Sequence, residues 1–206
     1  MSDLAKTLRA HFRKDNWRGG DNLPHALRPT KRNQGRHELS LVMGDLGFTT
    51  GIEIGTRFGD SARSWCEAMP DLHLICIDPY QPYSSLNDQE RQDRAYEKAT
   101  AALADYNVDI LRKPSHDVVA DFPDGSVDFV YIDGDHAFDA VAMDIIQWAP
   151  KARKGGLVLI HDYFQFHNGG VVAAVDGYTR CHGIDPWYVT FDVSPTAFWQ
   201  RGSEKS

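Results

Sequence analysis

A doubly wound α/β fold on a mostly parallel sheet is predicted by three observations. From residue 50 onward, five short apolar runs alternate with segments of helical periodicity, and alternation of that kind makes a parallel sheet covered on both faces. The first run leads straight into a glycine-bearing turn, "GIEIGTRFGDSA", Gly51 to Ala62. Two further runs, "WYVTFDV" and "TAFWQR", are separated only by Ser194–Pro195 and read as a closing antiparallel hairpin. The expectation is a seven-stranded sheet in a body of residues 48–206, with helices on both faces and a helical cap over residues 1–47.

The elements follow in order. Leu4, Leu8 and Phe12 recur every fourth residue, so residues 2–14 are expected to form a short amphipathic helix. Residues 15–35 are rich in Gly, Pro and Asn and are expected to be irregular. Leu39, Val42, Met43 and Leu46 mark a second helix that ends near Gly44–Gly47. "TGIEI" is a buried strand, and Asp60 or Ser61 caps a helix with Ala62, Trp65, Cys66 and Met69 on one face. "LHLICID" is the second strand, residues 88–104 a polar-faced helix, and "VDILRK" the third strand, with a short helix near 115–121. "SVDFVYID" is the fourth strand, followed by a helix periodic in Phe138, Val141, Ala142, Ile145, Ile146 and Ala149. "GGLVLIHD" is the fifth, and residues 169–181 are expected to be helical.

Composition narrows the class. The chain has 206 residues, 42% hydrophobic and 25% charged, which suits one globular domain with a single core. No apolar run approaches the roughly 20 residues that span a bilayer, and "MSDLAKTLRAHFRKDNW" lacks the apolar stretch of a secretory signal. Cys66, Cys76 and Cys181 are odd in number and form no C-x-x-C pair; reduced thiols in the cytoplasm are the expectation. The net charge of −7 is uneven: residues 1–40 carry nine basic and four acidic residues, net +5, and the remainder carries −12. Such a basic arm can touch nucleic acid or an anionic substrate, or pack on its own acidic body or on a second subunit of a homo-oligomer.

In a parallel sheet the ligand lies beyond the carboxyl ends of the strands. There the sequence delivers Glu53–Ile54–Gly55, then Asp78, then Ser115–His116, then Asp133–Gly134–Asp135–His136, then His161–Asp162–Tyr163. So acidic an edge suits sugar hydroxyls, a cationic ligand or a metal better than a pyrophosphate. The glycine spacing agrees, being neither G-x-G-x-x-G nor G-x-x-x-x-G-K-[ST].

"GIEIGTRFGDSA" resembles the E-x-G-x-x-x-G motif of class I S-adenosylmethionine-dependent methyltransferases, and the likeness runs over about residues 48–200, with "CIDPY" as the acidic motif of the second strand. "VDFVYIDGDHAFDAVAMDIIQWAPKARKGGLVLIHDY" and "DGSVDF" resemble the branch holding small-molecule O-methyltransferases of the macrolide-sugar type, whose members often bind a divalent metal. The resemblance implies a Rossmann-like fold and S-adenosylmethionine as cofactor, held by Glu53, Gly55, Thr56, Gly59, Asp78, Ser115 and Asp133. Gly55 and Gly59 let the backbone approach the cofactor, Asp78 accepts from the ribose hydroxyls, and Ser115 sits near the adenine. Read on its own, Ser115 is equally a helix N-cap.

The ends of the fourth and fifth strands carry the chemistry. Strands lie about 4.8 Å apart, so two carboxylates and an imidazole can converge on one ion. By resemblance Asp133, His161 and Asp162 are the metal ligands and His136 the general base, with Asp133 shared between the two roles. The first of the two fifth-strand ligands is usually acidic in these enzymes; an imidazole there favours Mn, Fe, Zn or Ni over Mg, or else the site is metal-free. Asp135 is a possible substitute ligand. The acceptor is expected to be a small hydroxylated molecule walled by Tyr163, Phe164 and Phe166, with Trp17 closing from the cap. A methyltransferase acting on RNA or protein through the basic arm is the alternative, although no N-P-P-Y-type motif follows the fourth strand.

Overall fold

The computed structural model describes residues 3–14, 23–29, 34–82, 88–164 and 167–202. In chain order the elements are α1 (Asp3–His11), β1 (Phe12–Lys14), β2 (His25–Pro29), α2 (Gly35–Asp45), β3 (Thr50–Ile54), α3 (Asp60–Ala68), β4 (His73–Ile77), α4 (Gln89–Leu103), β5 (Val108–Leu111), α5 (Ser115–Val118), β6 (Val127–Ile132), α6 (Phe138–Trp148), β7 (Ala152–Ile160), α7 (Gly170–Cys181), β8 (Trp187–Thr190) and β9 (Ala197–Gln200). One sheet runs in the order β1-β2-β8-β9-β7-β6-β3-β4-β5. β3 to β7 are mutually parallel, and β9 enters antiparallel between β7 and β8.

The described sheet therefore has nine strands, not the seven the sequence suggests. The two extra strands come from the N-terminal segment. Phe12–Lys14 ends what reads as a helix, and His25–Pro29 lies inside a stretch that reads as irregular; they pair with each other, and β2 runs parallel to β8. "HALRP" lacks the β-branched alternation of a strand and is bracketed by prolines. It becomes a strand because β8 offers it an open edge, a tertiary cause that local pattern does not carry.

Two apolar layers hold the sheet. On one face α1, α2 and α3 bury Leu8, Leu39, Met43 and Trp65 against Phe129, Tyr131 and Leu157. On the other face α6 and α7 bury Val141, Ile145, Trp148 and Val175 against Ile52, Val130 and Val158. The α3 face of Ala62, Trp65, Cys66 and Met69 is buried as its spacing predicts. α6 departs from its pattern, because Phe138 and Ile146 are exposed; its buried stripe is the narrower set Val141, Ile145 and Trp148. No helix among the described residues is long and apolar enough to cross a membrane.

The chain crosses from β5 back to β6 through α5, so strand order reverses between β3 and β6. Their carboxyl ends form the crevice where such sheets bind ligands.

Candidate active site at the carboxyl edge of the sheet

The turn after β3 is built around two glycines. Gly55 has φ +88, and a Cβ there would stand 2.1 Å from the Asp133 carbonyl oxygen. Only glycine meets both conditions, and it brings the β3 turn hard against the end of β6. Gly59, at φ +79, starts α3 with a looser fit, its nearest neighbour being a Leu103 side-chain carbon at 3.2 Å. Between them, Arg57 also has positive φ, and its N–H donates to Asp78 Oδ2 at 2.9 Å. The N–H of Tyr80 donates to Asp78 Oδ1 at 2.8 Å. Both carboxylate oxygens of Asp78 are thus oriented by backbone, and each retains acceptor capacity for hydroxyls.

Glu53 is fully buried and accepts from Trp65 Nε1 at 2.9 Å. Burial, reinforced by the charge of Asp133, pushes its carboxyl up to about 8. Thr56 is buried in the same turn. The Ser115 hydroxyl donates to Asp144 Oδ1 at 2.7 Å, tying the start of α5 to the buried middle of α6.

The ends of β6 and β7 bring four titratable side chains together. His136 Nε2 lies 3.3 Å from Asp162 Oδ2 and 3.8 Å from Asp133 Oδ1. His161 Nδ1 lies 3.2 Å from Asp133 Oδ1 and 3.3 Å from Asp162 Oδ1. The backbone of Asp162 is in the left-handed region, at φ +56. Tyr131 Oη donates to Asp133 Oδ2 at 3.3 Å. Burial alone would raise the Asp133 pKa, but hydrogen bonds from His136 and His161 outweigh it and hold the carboxyl at about 2. The same bond to Asp133 raises the pKa of His136, against burial. Asp135 stays outside the cluster: it is exposed and accepts from the N–H of Ala137 at the start of α6.

A fifth member was not anticipated. Arg36, in the first turn of α2, places Nη2 3.0 Å from His161 Nε2. A guanidinium has only donors, so this contact is a hydrogen bond when Nε2 is the unprotonated ring nitrogen, and Nδ1 faces Asp133. At His161, burial lowers the pKa, but the hydrogen bonds to Asp133 and Asp162 outweigh it and raise it to about 9, with Arg36 opposing the raise. The one sequence signal for Arg36 is its place, since a cation in the first turn of a helix opposes the helix dipole. Arg28, from the same basic arm, lies over the Phe191 ring at 4.7 Å.

Among the described residues, the group able to hold a metal is Asp133, His136 and Asp162, whose donor atoms lie within 4.8 Å of one another. Two oxygens and an imidazole nitrogen suit Mn, Fe or Zn better than Mg. His161, expected as a ligand, is next to this group but has Nδ1 engaged by carboxylates and Nε2 by Arg36. Tyr163 donates to Asp176 Oδ1 at 2.7 Å and meets Trp187 edge-on, so its hydroxyl is committed to α7. Phe164 is half-buried beside it. Phe166 and Trp17 lie outside the described residues.

Comparison with known proteins adds three findings. Residues 52–163 match a family model described as a methyltransferase domain. The uncharacterised protein y4gI of Sinorhizobium fredii is 30% identical over 119 residues, covering 54% of this chain, and this chain spans 13% of that protein's length. Among solved structures, the O-methyltransferase NovP superposes with a TM-score of 0.62 at 19% identity, covering 82% of this chain and 78% of NovP. The O-methyltransferase TomG of Streptomyces achromogenes, solved with S-adenosylmethionine, gives 0.60 at 17% identity, with 81% and 79% covered. At these identities the structural likeness speaks for the fold.

Proposed function

The chain belongs to the methyltransferase domain family, and from that premise we propose that it moves the methyl group of S-adenosylmethionine to a hydroxyl oxygen of a small molecule. The observation that carries the reading is the juxtaposition, at one switch point, of a phosphate-unsuited glycine turn and a histidine held between two carboxylates. Both structures compared above are of O-methyltransferases, which supports an oxygen acceptor.

The bound cofactor supplies a methyl carbon made electrophilic by its sulfonium. The residues of this chain do the rest. Gly55 and Gly59 would leave room for the cofactor beside the backbone, and Asp78 would accept from its ribose hydroxyls. Glu53, Thr56 and Ser115 would line the place of that cofactor. A substrate hydroxyl has a pKa far above 7 and is a poor nucleophile. His136 takes its proton as the new C–O bond forms and the C–S bond breaks. The imidazolium so formed is stabilised by Asp162 and Asp133 beside Nε2. Orientation in the crevice contributes heavily, because two substrates must meet in line.

A second reading rests on the three donors within 4.8 Å. A divalent cation held by Asp133, His136 and Asp162 would lower the pKa of the acceptor hydroxyl. In that reading His136 is a ligand and not the base, so the two readings separate on one variant. In the first, His136→Ala lowers kcat by roughly 10²-fold in a labelled-methyl assay over a panel of hydroxylated acceptors, while calorimetry finds S-adenosylmethionine binding retained. Loss of metal content together with activity in that variant would instead favour the second.

A further inference from the structure

The base mechanism above leaves Arg36 without a part, yet the fold goes to some length to place it. Its helix begins at Gly35, whose N–H donates to Asp192 Oδ2 at 2.8 Å. A Cβ on Gly35 would stand 2.2 Å from that oxygen and 2.9 Å from Thr190 Cβ. The start of α2 is therefore seated directly on the end of β8, with no space for a larger residue. From that seat the half-buried Arg36 reaches His161, and His161 reaches Asp133 and Asp162. Guanidinium, imidazole and two carboxylates form one continuous chain of contacts. A positive charge in the first turn of a helix is disfavoured by the dipole, and partial burial adds to the cost; the two carboxylates offset both. Their attraction also keeps the guanidinium charged.

We propose that Arg36 is the resident cation of this site, and that its guanidinium, in contact with His161, which itself touches both carboxylates, balances Asp133 and Asp162 in place of a divalent ion. This rests on the methyltransferase reading only for its bearing on activity. A metal at Asp133, His136 and Asp162 would share those carboxylates with a fixed positive charge, and like charges in a half-buried site repel strongly. Arg36 is thus a positioning residue: it holds the His161 ring against Asp133 and Asp162, and so holds both carboxylates beside His136. Methyl transfer then runs without metal.

The test uses the full chain, stripped with a chelator, and Mn²⁺ alone as the probe, with free Mn²⁺ read by electron paramagnetic resonance. Wild type is expected to bind Mn²⁺ at least about tenfold more weakly than Arg36→Met, a difference of about 1.4 kcal/mol. Arg36→Lys keeps the charge and is expected to stay within about threefold of wild type. Stoichiometric micromolar Mn²⁺ binding by wild type overturns the proposal, and decides it even if Arg36→Met does not fold. Equal Mn²⁺ affinity in a folded Arg36→Met also overturns it. None of these readouts uses S-adenosylmethionine, so a failure of the methyltransferase reading is seen separately, as an absence of cofactor binding.

Discussion

Gly55 carries the tightest constraint in the site. Its φ of +88 and the 2.1 Å separation between a would-be Cβ and the Asp133 carbonyl oxygen act at the same atom. Left-handed backbone costs a non-glycine residue roughly 1–2 kcal/mol. Relieving the clash would also push the end of β6 outward, and Asp133 with it. Gly55→Ala is therefore expected to lower the melting temperature by roughly 5 °C or more and to weaken S-adenosylmethionine binding at least tenfold or so by calorimetry. Gly59→Ala carries the same left-handed cost, but its nearest neighbours are Leu103 side-chain carbons at 3.2 and 3.3 Å and the Ala99 Cα at 3.4 Å, so it should be milder on both counts. Equal effects at the two positions would contradict this ranking. The E-x-G-x-x-x-G spacing made both glycines legible in the sequence. That they differ in tightness was not, because the neighbour of Gly55 is 78 positions away in the chain.

At the scale of elements, the amino edges of β3, β6 and β7 are tied by one carboxylate. Asp128 Oδ2 accepts from the N–H groups of Thr49 at 2.7 Å and Thr50 at 2.9 Å, and Oδ1 accepts from Arg153 Nε at 2.6 Å. Burial would raise its pKa, but these bonds outweigh it and lower the value from the usual carboxylate range. A carboxyl with a lowered folded pKa contributes stability above its unfolded pKa and loses it as pH falls through the folded one. Asp128→Asn is thus expected to cost about 2 kcal/mol at pH 7. The gap to wild type should narrow steadily below about pH 4, where the unfolded carboxyl protonates. A gap unchanged between pH 7 and pH 3 in denaturant titrations would contradict that role. The parallel strands and the helices α3, α4 and α6 were legible because each combines a clear period with a length that suits it. β1 and β2 were not, since three to five residues of mixed polarity become strands only against the edge of β8. Arg36 was missed for a related reason: its partner lies 125 residues along the chain, and nothing local marks it beyond an unfavourable helix position.

For the whole molecule, sheet topology explains why the chemistry gathers where it does. Reversal of strand order between β3 and β6 opens one crevice. Gly55, Asp78, Asp133, His136 and Asp162 all reach its rim, which is what the acidic strand ends suggested. The basic arm, open to several readings in the sequence, is in part accounted for within the fold, with Arg36 on the site and Arg28 over Phe191. All of this turns on the crevice being a site for S-adenosylmethionine. A ligand at about one hundred times its Kd adds about 2.7 kcal/mol of stability, or roughly 5–10 °C for a chain of this size. The measurement is the melting temperature of the purified chain with S-adenosylmethionine, with S-adenosylhomocysteine and with NAD. A rise of that order with the first two and none with NAD is the predicted result; a melting temperature that moves with NAD and stays fixed with S-adenosylmethionine would contradict the account.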